Sequence, residues 1–111
     1  MATFQNLTVD QVKAKIDSGE SFRLIDVREP AEFAQGLGHI DGALLLPLGQ
    51  LEARLGELSR QRPIVTVCRS GARSARAAAM LAKAGFDQVA NLRGGMLRWR
   101  AEGGAAVDAG E

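Results

Sequence analysis

Cys68 is the only cysteine in the 111 residues, and it opens the segment Cys68-Arg69-Ser70-Gly71-Ala72-Arg73-Ser74. The thiolate is the reactive form of cysteine, and a helix N-terminus or nearby cationic side chains favour it. Ile64-Val65-Thr66-Val67, β-branched throughout, precedes the cysteine and reads as a strand. An alanine-rich stretch from about Ser74 to Ala84, closed by Gly85, reads as a helix. The cysteine is therefore expected between a strand end and a helix start. A tight loop there can curl its free amides into a nest for an anion. Gly71 permits the backbone turn such a loop needs. Arg69 and Arg73 add positive charge. A thiol so placed is expected to be a nucleophile that needs no general base, because its anion is already stabilised. A lone cysteine is commonly just a small buried hydrophobe. The order strand, cysteine, glycine, two arginines and helix weighs against that alternative.

The charge distribution points to the same region. Residues 1–60 hold six basic and nine acidic side chains, whereas residues 61–100 hold eight basic side chains and the single acid Asp87. Clustered positive charge concentrates small anions, although a solvated basic helix face would look alike. The net charge of +1 gives no whole-chain case for nucleic-acid binding. One cysteine excludes an internal disulfide, and with one histidine it makes a tetrahedral zinc site implausible. No metal is expected. No apolar run approaches the roughly 20 residues of a membrane span, so no membrane association is expected. Met1 to Asn6 lacks a basic and apolar leader pattern. A cytoplasmic location is the resulting expectation.

The elements that must position Cys68 can be read along the chain. Thr8 with Gln11 resembles a capping box, and Val9, Val12 and Ile16 follow at helical spacing, so a helix is expected at about 9–18. The apolar run 22–27 reads as a strand, and Pro30 opens a short helix through Phe33. Gly36, Gly38 and Gly42 mark a loop. A second strand is expected at 43–46, and Leu48, Leu51, Leu55 and Leu58 share one helical face. After the central strand and helix come a strand at 89–92 and a last helix holding Met96, Leu97 and Trp99. Apolar strands alternating with helices predict an α/β fold, with a mostly parallel sheet covered on both faces. Residues 1–102 are expected to form one domain, and 103–111 a flexible Gly/Ala-rich tail. No G-x-x-x-x-G-K-[ST] or G-x-G-x-x-G pattern suggests a nucleotide.

Four segments together resemble the rhodanese family over nearly the whole chain. They are Leu24-Ile25-Asp26-Val27-Arg28-Glu29-Pro30-Ala31-Glu32-Phe33, then Gly38-His39-Ile40-Asp41-Gly42-Ala43, then Cys68 to Ser74, then Leu92-Arg93-Gly94-Gly95-Met96-Leu97-Arg98-Trp99. The resemblance implies a central parallel five-stranded sheet flanked by helices on both faces. It implies an active-site loop of Cys68, Arg69, Ser70, Gly71, Ala72 and Arg73 whose amides point at the sulfur. It further implies a sulfurtransferase: thiosulfate or a persulfide donor gives its outer sulfur to Cys68, and cyanide or a thiol removes it. A sulfur-carrier or desulfurase protein is a conceivable partner, and no cofactor is implied.

Four residues lie between Cys68 and Arg73. Related phosphatases and arsenate reductases resemble a loop one residue longer, which can wrap a tetrahedral phosphate, so the shorter loop favours sulfur. A non-enzymatic interaction module on the same fold is the other alternative, and the cysteine weighs against it. Asp26 and Arg28 form the family's Asp-x-Arg signature and, with Ser74, are expected to support the loop. Asp26 is placed to hold Arg73 or a backbone amide. Arg28 could instead pair with Glu32 at i,i+4. His39 is expected to fix a loop rather than catalyse, and Trp99 to lie in the core. The chain departs from the family pattern at Asp41, where proline is common.

Overall fold

The computed structural model describes residues 3–108. In chain order the elements are β1 (Gln5–Leu7), α1 (Val9–Asp17), β2 (Arg23–Asp26), α2 (Pro30–Ala34), β3 (Leu44–Leu45) and α3 (Leu48–Leu51). A 3-10 segment (Glu52–Glu57) follows, then β4 (Ile64–Val67), α4 (Ala72–Lys83), β5 (Val89–Leu92) and α5 (Gly95–Ala101). All strand pairings are parallel, in the order β1-β5-β4-β2-β3. The α/β fold with helices on both faces of a five-stranded parallel sheet is thus present.

Local chemistry explains most boundaries. Thr8 caps α1, with its hydroxyl accepting from the Gln11 amide and the Gln11 side chain accepting from the Thr8 amide. Pro30 opens α2. The leucine stripe from Leu48 to Leu58 starts as α-helix and tightens into 3-10 after Leu51. Gly49 and Gly56 weaken a continuous helix there. Strand β1 escapes the sequence reading because, of its three residues, only Leu7 is buried. No apolar run marks it.

Side chains alternate across a sheet, and that parity decides which face each residue serves. Ile64 and Cys68 pack with Ile25, Val27, Leu51, Leu81 and Val89 under α3 and α4. Val65 and Val67 pack on the opposite face with Leu24, Val12, Leu92, Met96 and Trp99 under α1 and α5. Cys68 therefore continues the α4 face of its strand. Asp26 lies level with Val67 in the β2–β4 register and follows the parity of Leu24, so its side chain starts on the α1/α5 face.

The Gly/Ala-rich stretch after Gly103 packs back against the domain as far as Val107. Gly104 is buried against Trp99, leaving no room for a Cβ. The Trp99 indole N–H donates to the Ala105 carbonyl at 2.9 Å. Val107 and His39 exchange backbone bonds of 2.8 and 2.9 Å. Residues 109–111 lie outside the described residues. No helix among the described residues is long and apolar enough to cross a membrane.

Candidate active site

Cys68 sits at the carboxyl end of the central strand β4, where open parallel sheets place their sites. Helix α4 begins at Ala72, two residues earlier than its composition suggests, with Gly71 as its N-cap at φ +104°. That φ belongs to the left-handed region, which only glycine enters cheaply. A Cβ on Gly71 would also stand 3.2 Å from the Gly94 nitrogen.

The loop is held from behind by the start of α5. The Met96 amide donates to the Cys68 carbonyl at 2.8 Å, and the Leu97 amide donates to the Arg69 carbonyl at 3.0 Å. In a trans peptide the N–H points opposite the C=O. Fixing those two carbonyls outward therefore turns the amides of Arg69 and Ser70 inward. Gly95 allows the close approach, since any Cβ there would collide with the carbonyls of Cys68 and Arg69.

The sulfur of Cys68 is buried at the base of this cradle, with only 1% of the residue exposed. It accepts from the Gly71 amide at 3.0 Å and from the Ser74 hydroxyl at 3.2 Å. Burial pushes the Cys68 thiol up, but the Ser74 hydroxyl and the amides of Ser74, Gly71 and Ser70 outweigh it, and the net direction is down. Donors aimed at the anion are the mechanism by which a desolvated thiolate is kept.

The remaining predicted residues divide by location. Arg69, Ser70 and Ala72 are exposed on the loop. Of the two partners expected for Asp26, Arg73 or a backbone amide, it takes the amide, that of Arg28, and Arg73 turns elsewhere. It donates twice to Glu32 on α2, both bonds at 2.7 Å. Sheet parity is the reason, because Arg73 starts on the α4 side and Asp26 on the other. Asp26 instead receives Arg28: Nε donates at 2.9 Å and Nη2 at 2.8 Å, with the Arg28 amide at 3.1 Å. Both residues are buried. Arg28 Nη2 also donates to the Gly38 carbonyl at 2.7 Å, tying β2 to the glycine loop, and Arg28 does not pair with Glu32. His39 stacks on Phe33 with ring centroids 3.6 Å apart, and its Nδ1 bonds the Phe33 carbonyl at 2.8 Å. It thus has the loop-fixing contacts expected of it, and Trp99 is buried in the core.

Sequence reading missed two residues. Glu32 holds Arg73 across 41 positions of sequence, a distance at which spacing carries no signal. Its carboxyl is lowered to about 2, chiefly by the Arg73 hydrogen bonds. Asn91 on β5 lies in a run that reads only as an apolar strand, yet it is buried, with its Oδ1 2.5 Å from the Ser74 hydroxyl. Beside the loop lies a cavity of about 360 Å³, lined by Arg28, Glu32, Gln35, Leu37 and Arg69 among others.

These features define a class: an open parallel α/β domain that presents a buried cysteine in an amide cradle at its central strand. The chain belongs to the rhodanese-like domain family, whose model matches residues 8–102. It is 40% identical over 94 residues to a sulfurtransferase of Allochromatium vinosum, covering 85% of this chain and 86% of that protein. It is 36% identical over 99 residues to the thiosulfate sulfurtransferase GlpE of Shewanella oneidensis, covering 89% and 95%. Other relatives are longer, and the chain spans 52% of one and 24% of another. Among solved structures, a rhodanese-related protein from Thermoplasma volcanium superposes with a TM-score of 0.83 at 26% identity, covering 94% of this chain and 98% of that one.

Proposed function

We propose that this protein is a sulfurtransferase that carries sulfur on Cys68 as a persulfide. The observation that carries the reading is the Cys68 sulfur receiving the Gly71 amide and the Ser74 hydroxyl at the end of β4. Those donors stabilise one sulfur anion in a six-residue loop. In the first step the Cys68 thiolate attacks the outer sulfur of thiosulfate. A Cys68–sulfur bond forms, the sulfur–sulfur bond of the donor breaks, and its electron pair leaves on sulfite. In the second step a thiolate or cyanide attacks the outer sulfur, and the electron pair of the breaking bond returns to Cys68 as thiolate. The donor and acceptor occupy the site in turn, which is ping-pong behaviour with a covalent intermediate.

Roles follow from position. The loop amides hold the anionic sulfur before and after transfer. Arg73, clamped by Glu32, holds its positive charge close to Cys68. Arg69 and Ser70 are the exposed loop side chains and bear on the choice of donor. Asp26 and Arg28 support the wall of the cleft. The buried sulfur favours slim reagents such as thiosulfate, a persulfide, a small thiol or a cysteine on a protruding segment of a carrier protein. The reducing cytoplasm is the compartment that suits this chemistry.

Intact mass spectrometry after brief exposure to thiosulfate tests the reading, with Cys68→Ala as control. A gain of about 32 Da on the wild type alone is expected, the mass of one added sulfur. A gain only with polysulfide or a thiol persulfide keeps the carrier and changes its donor. No gain with any donor overturns the proposal.

A further inference from the structure

Under the first turn of α4 runs a row of polar side chains that the transfer step does not use. Thr66 on β4, Asn91 on β5 and Asn6 on β1 lie side by side in register across three strands. Sheet parity turns Asn91 to the α4 face, as it does Val89 two residues earlier. Each member has a partner. Thr66 Oγ1 donates to the Ser74 carbonyl at 2.8 Å, and Asn91 Nδ2 donates to Asn6 Oδ1 at 3.0 Å. Asn91 Oδ1 meets the Ser74 hydroxyl at 2.5 Å.

Proton counting makes this arrangement consequential. A serine hydroxyl has one proton to give. Ser74 faces two acceptors, the Cys68 sulfur at 3.2 Å and Asn91 Oδ1 at 2.5 Å, with the Gly71 carbonyl at 3.3 Å a weaker third. A neutral thiol is a poor acceptor, so in that state the Ser74 hydroxyl points its proton at Asn91 Oδ1. An anionic sulfur makes a charge-assisted bond of roughly twice the strength and draws the proton over. Forming the anion therefore costs the buried Asn91 oxygen its partner, and a buried acceptor left unpaired is destabilising.

We propose that Asn91 is a positioning residue that competes with the Cys68 sulfur for the Ser74 hydroxyl proton, and so restrains how readily that sulfur becomes anionic. The inference rests on the reading of Cys68 as the reactive sulfur and adds a control on its reactivity. Charged groups near the loop include Arg69 and Arg73 on it, Glu32 on α2, the Asp26–Arg28 pair at the end of β2, Arg76 on α4, and Arg93 and Arg98 beside Gly94. Among the described residues none of these hydrogen-bonds Ser74 or Asn91 through its side chain, so the competition is local to the hydroxyl.

The sign of the effect separates this role from a structural one. Asn91→Leu keeps the branched side-chain skeleton, with bulkier ends, and removes the acceptor, leaving sulfur as the main acceptor for Ser74. Asn91→Asp keeps an acceptor, charges it and removes the donor. Iodoacetamide alkylation of Cys68 is followed between about pH 5 and pH 10, with thermal melts to show that each variant is folded. Asn91→Leu is expected to shift the alkylation midpoint to lower pH and raise the neutral-pH rate severalfold. Asn91→Asp is expected to shift it upward and slow the reaction by about tenfold or more. In a Ser74→Ala background the Asn91→Leu change is expected to have no effect, because the shared proton is gone. An upward shift for Asn91→Leu overturns the proposal, since it makes Asn91 a donor to Ser74. So does a shift that persists without the hydroxyl. Alkylation reads the thiol whether or not sulfur is transferred, so a failure here is distinct from a failure of the persulfide test.

Discussion

Arg73 and Glu32 form two parallel bonds of 2.7 Å, the geometry in which guanidinium and carboxylate fit best. Their side chains are 36% and 31% exposed, so solvent screens the pair and its direct contribution to stability is under about 1 kcal/mol. Its effect is on position. Arg73 is held in the first turn of α4, where its charge and that of the Cys68 thiolate attract. The Glu32 carboxyl falls from 4.5 to about 2. A depressed carboxylate gives its full contribution above the unfolded value and loses it as pH falls through the folded one. The clamp is thus intact from about pH 5 upward, and any pH dependence of Cys68 reactivity near neutrality comes from the thiol. Arg73→Ala and Glu32→Gln are each expected to slow Cys68 alkylation and raise the KM for thiosulfate severalfold. The double variant is expected to be no worse than Arg73→Ala, as befits one shared interaction. Additive losses in steady-state rates would show that Glu32 acts on its own.

At the scale of elements, the loop is shaped by the start of α5 as much as by its own residues. Gly95 has φ +58° and no space for a Cβ against the Cys68 and Arg69 carbonyls. Gly95→Ala is expected to cost about 1–3 kcal/mol of stability from strain and displacement. It is also expected to slow Cys68 alkylation, because the loop amides lose their fixed direction. Equal alkylation with a lowered Tm would confine the effect to folding. This dependence was half legible in sequence. Gly94-Gly95 marks a tight turn beside the site, but nothing in a local pattern says that α5 amides meet loop carbonyls 28 residues earlier. The strand before Cys68 and the glycine inside its loop were legible because β-branched runs and turn glycines act locally. The Arg73–Glu32 pair was not, since the signature and its place at a strand end made Asp26 a candidate partner for Arg73. Only strand register and parity show that Asp26 faces away from α4. Strand β1 was hidden for a related reason: it is an edge strand with a single buried side chain.

Across the whole molecule, the sheet divides the work between its faces. The α4 face carries Cys68, Ser74 and Asn91. The α1/α5 face carries Trp99, against which residues 104–107 fold back. That returning segment joins Val107 to His39, and Gly38 next to His39 accepts from the buried Arg28. The C-terminal segment thus braces the glycine loop on one side of the site cleft while staying off the cysteine cradle. Gly104 is its tightest point, since a Cβ there would enter the Trp99 ring. Gly104→Ala should therefore loosen the segment from Trp99 at a cost of about 1–3 kcal/mol, the usual penalty of overpacking a close contact. A lower Tm and a red-shifted Trp99 fluorescence are expected together, because the indole gains water as it loses the Ala105 carbonyl. Cys68 alkylation should keep its wild-type rate, since the loop is held by Met96 and Leu97 at the opposite end of α5. A slower alkylation in a folded Gly104→Ala variant would mean that strain passes along α5 from its C-terminus to the loop, and the two faces would then have to be treated as one coupled unit.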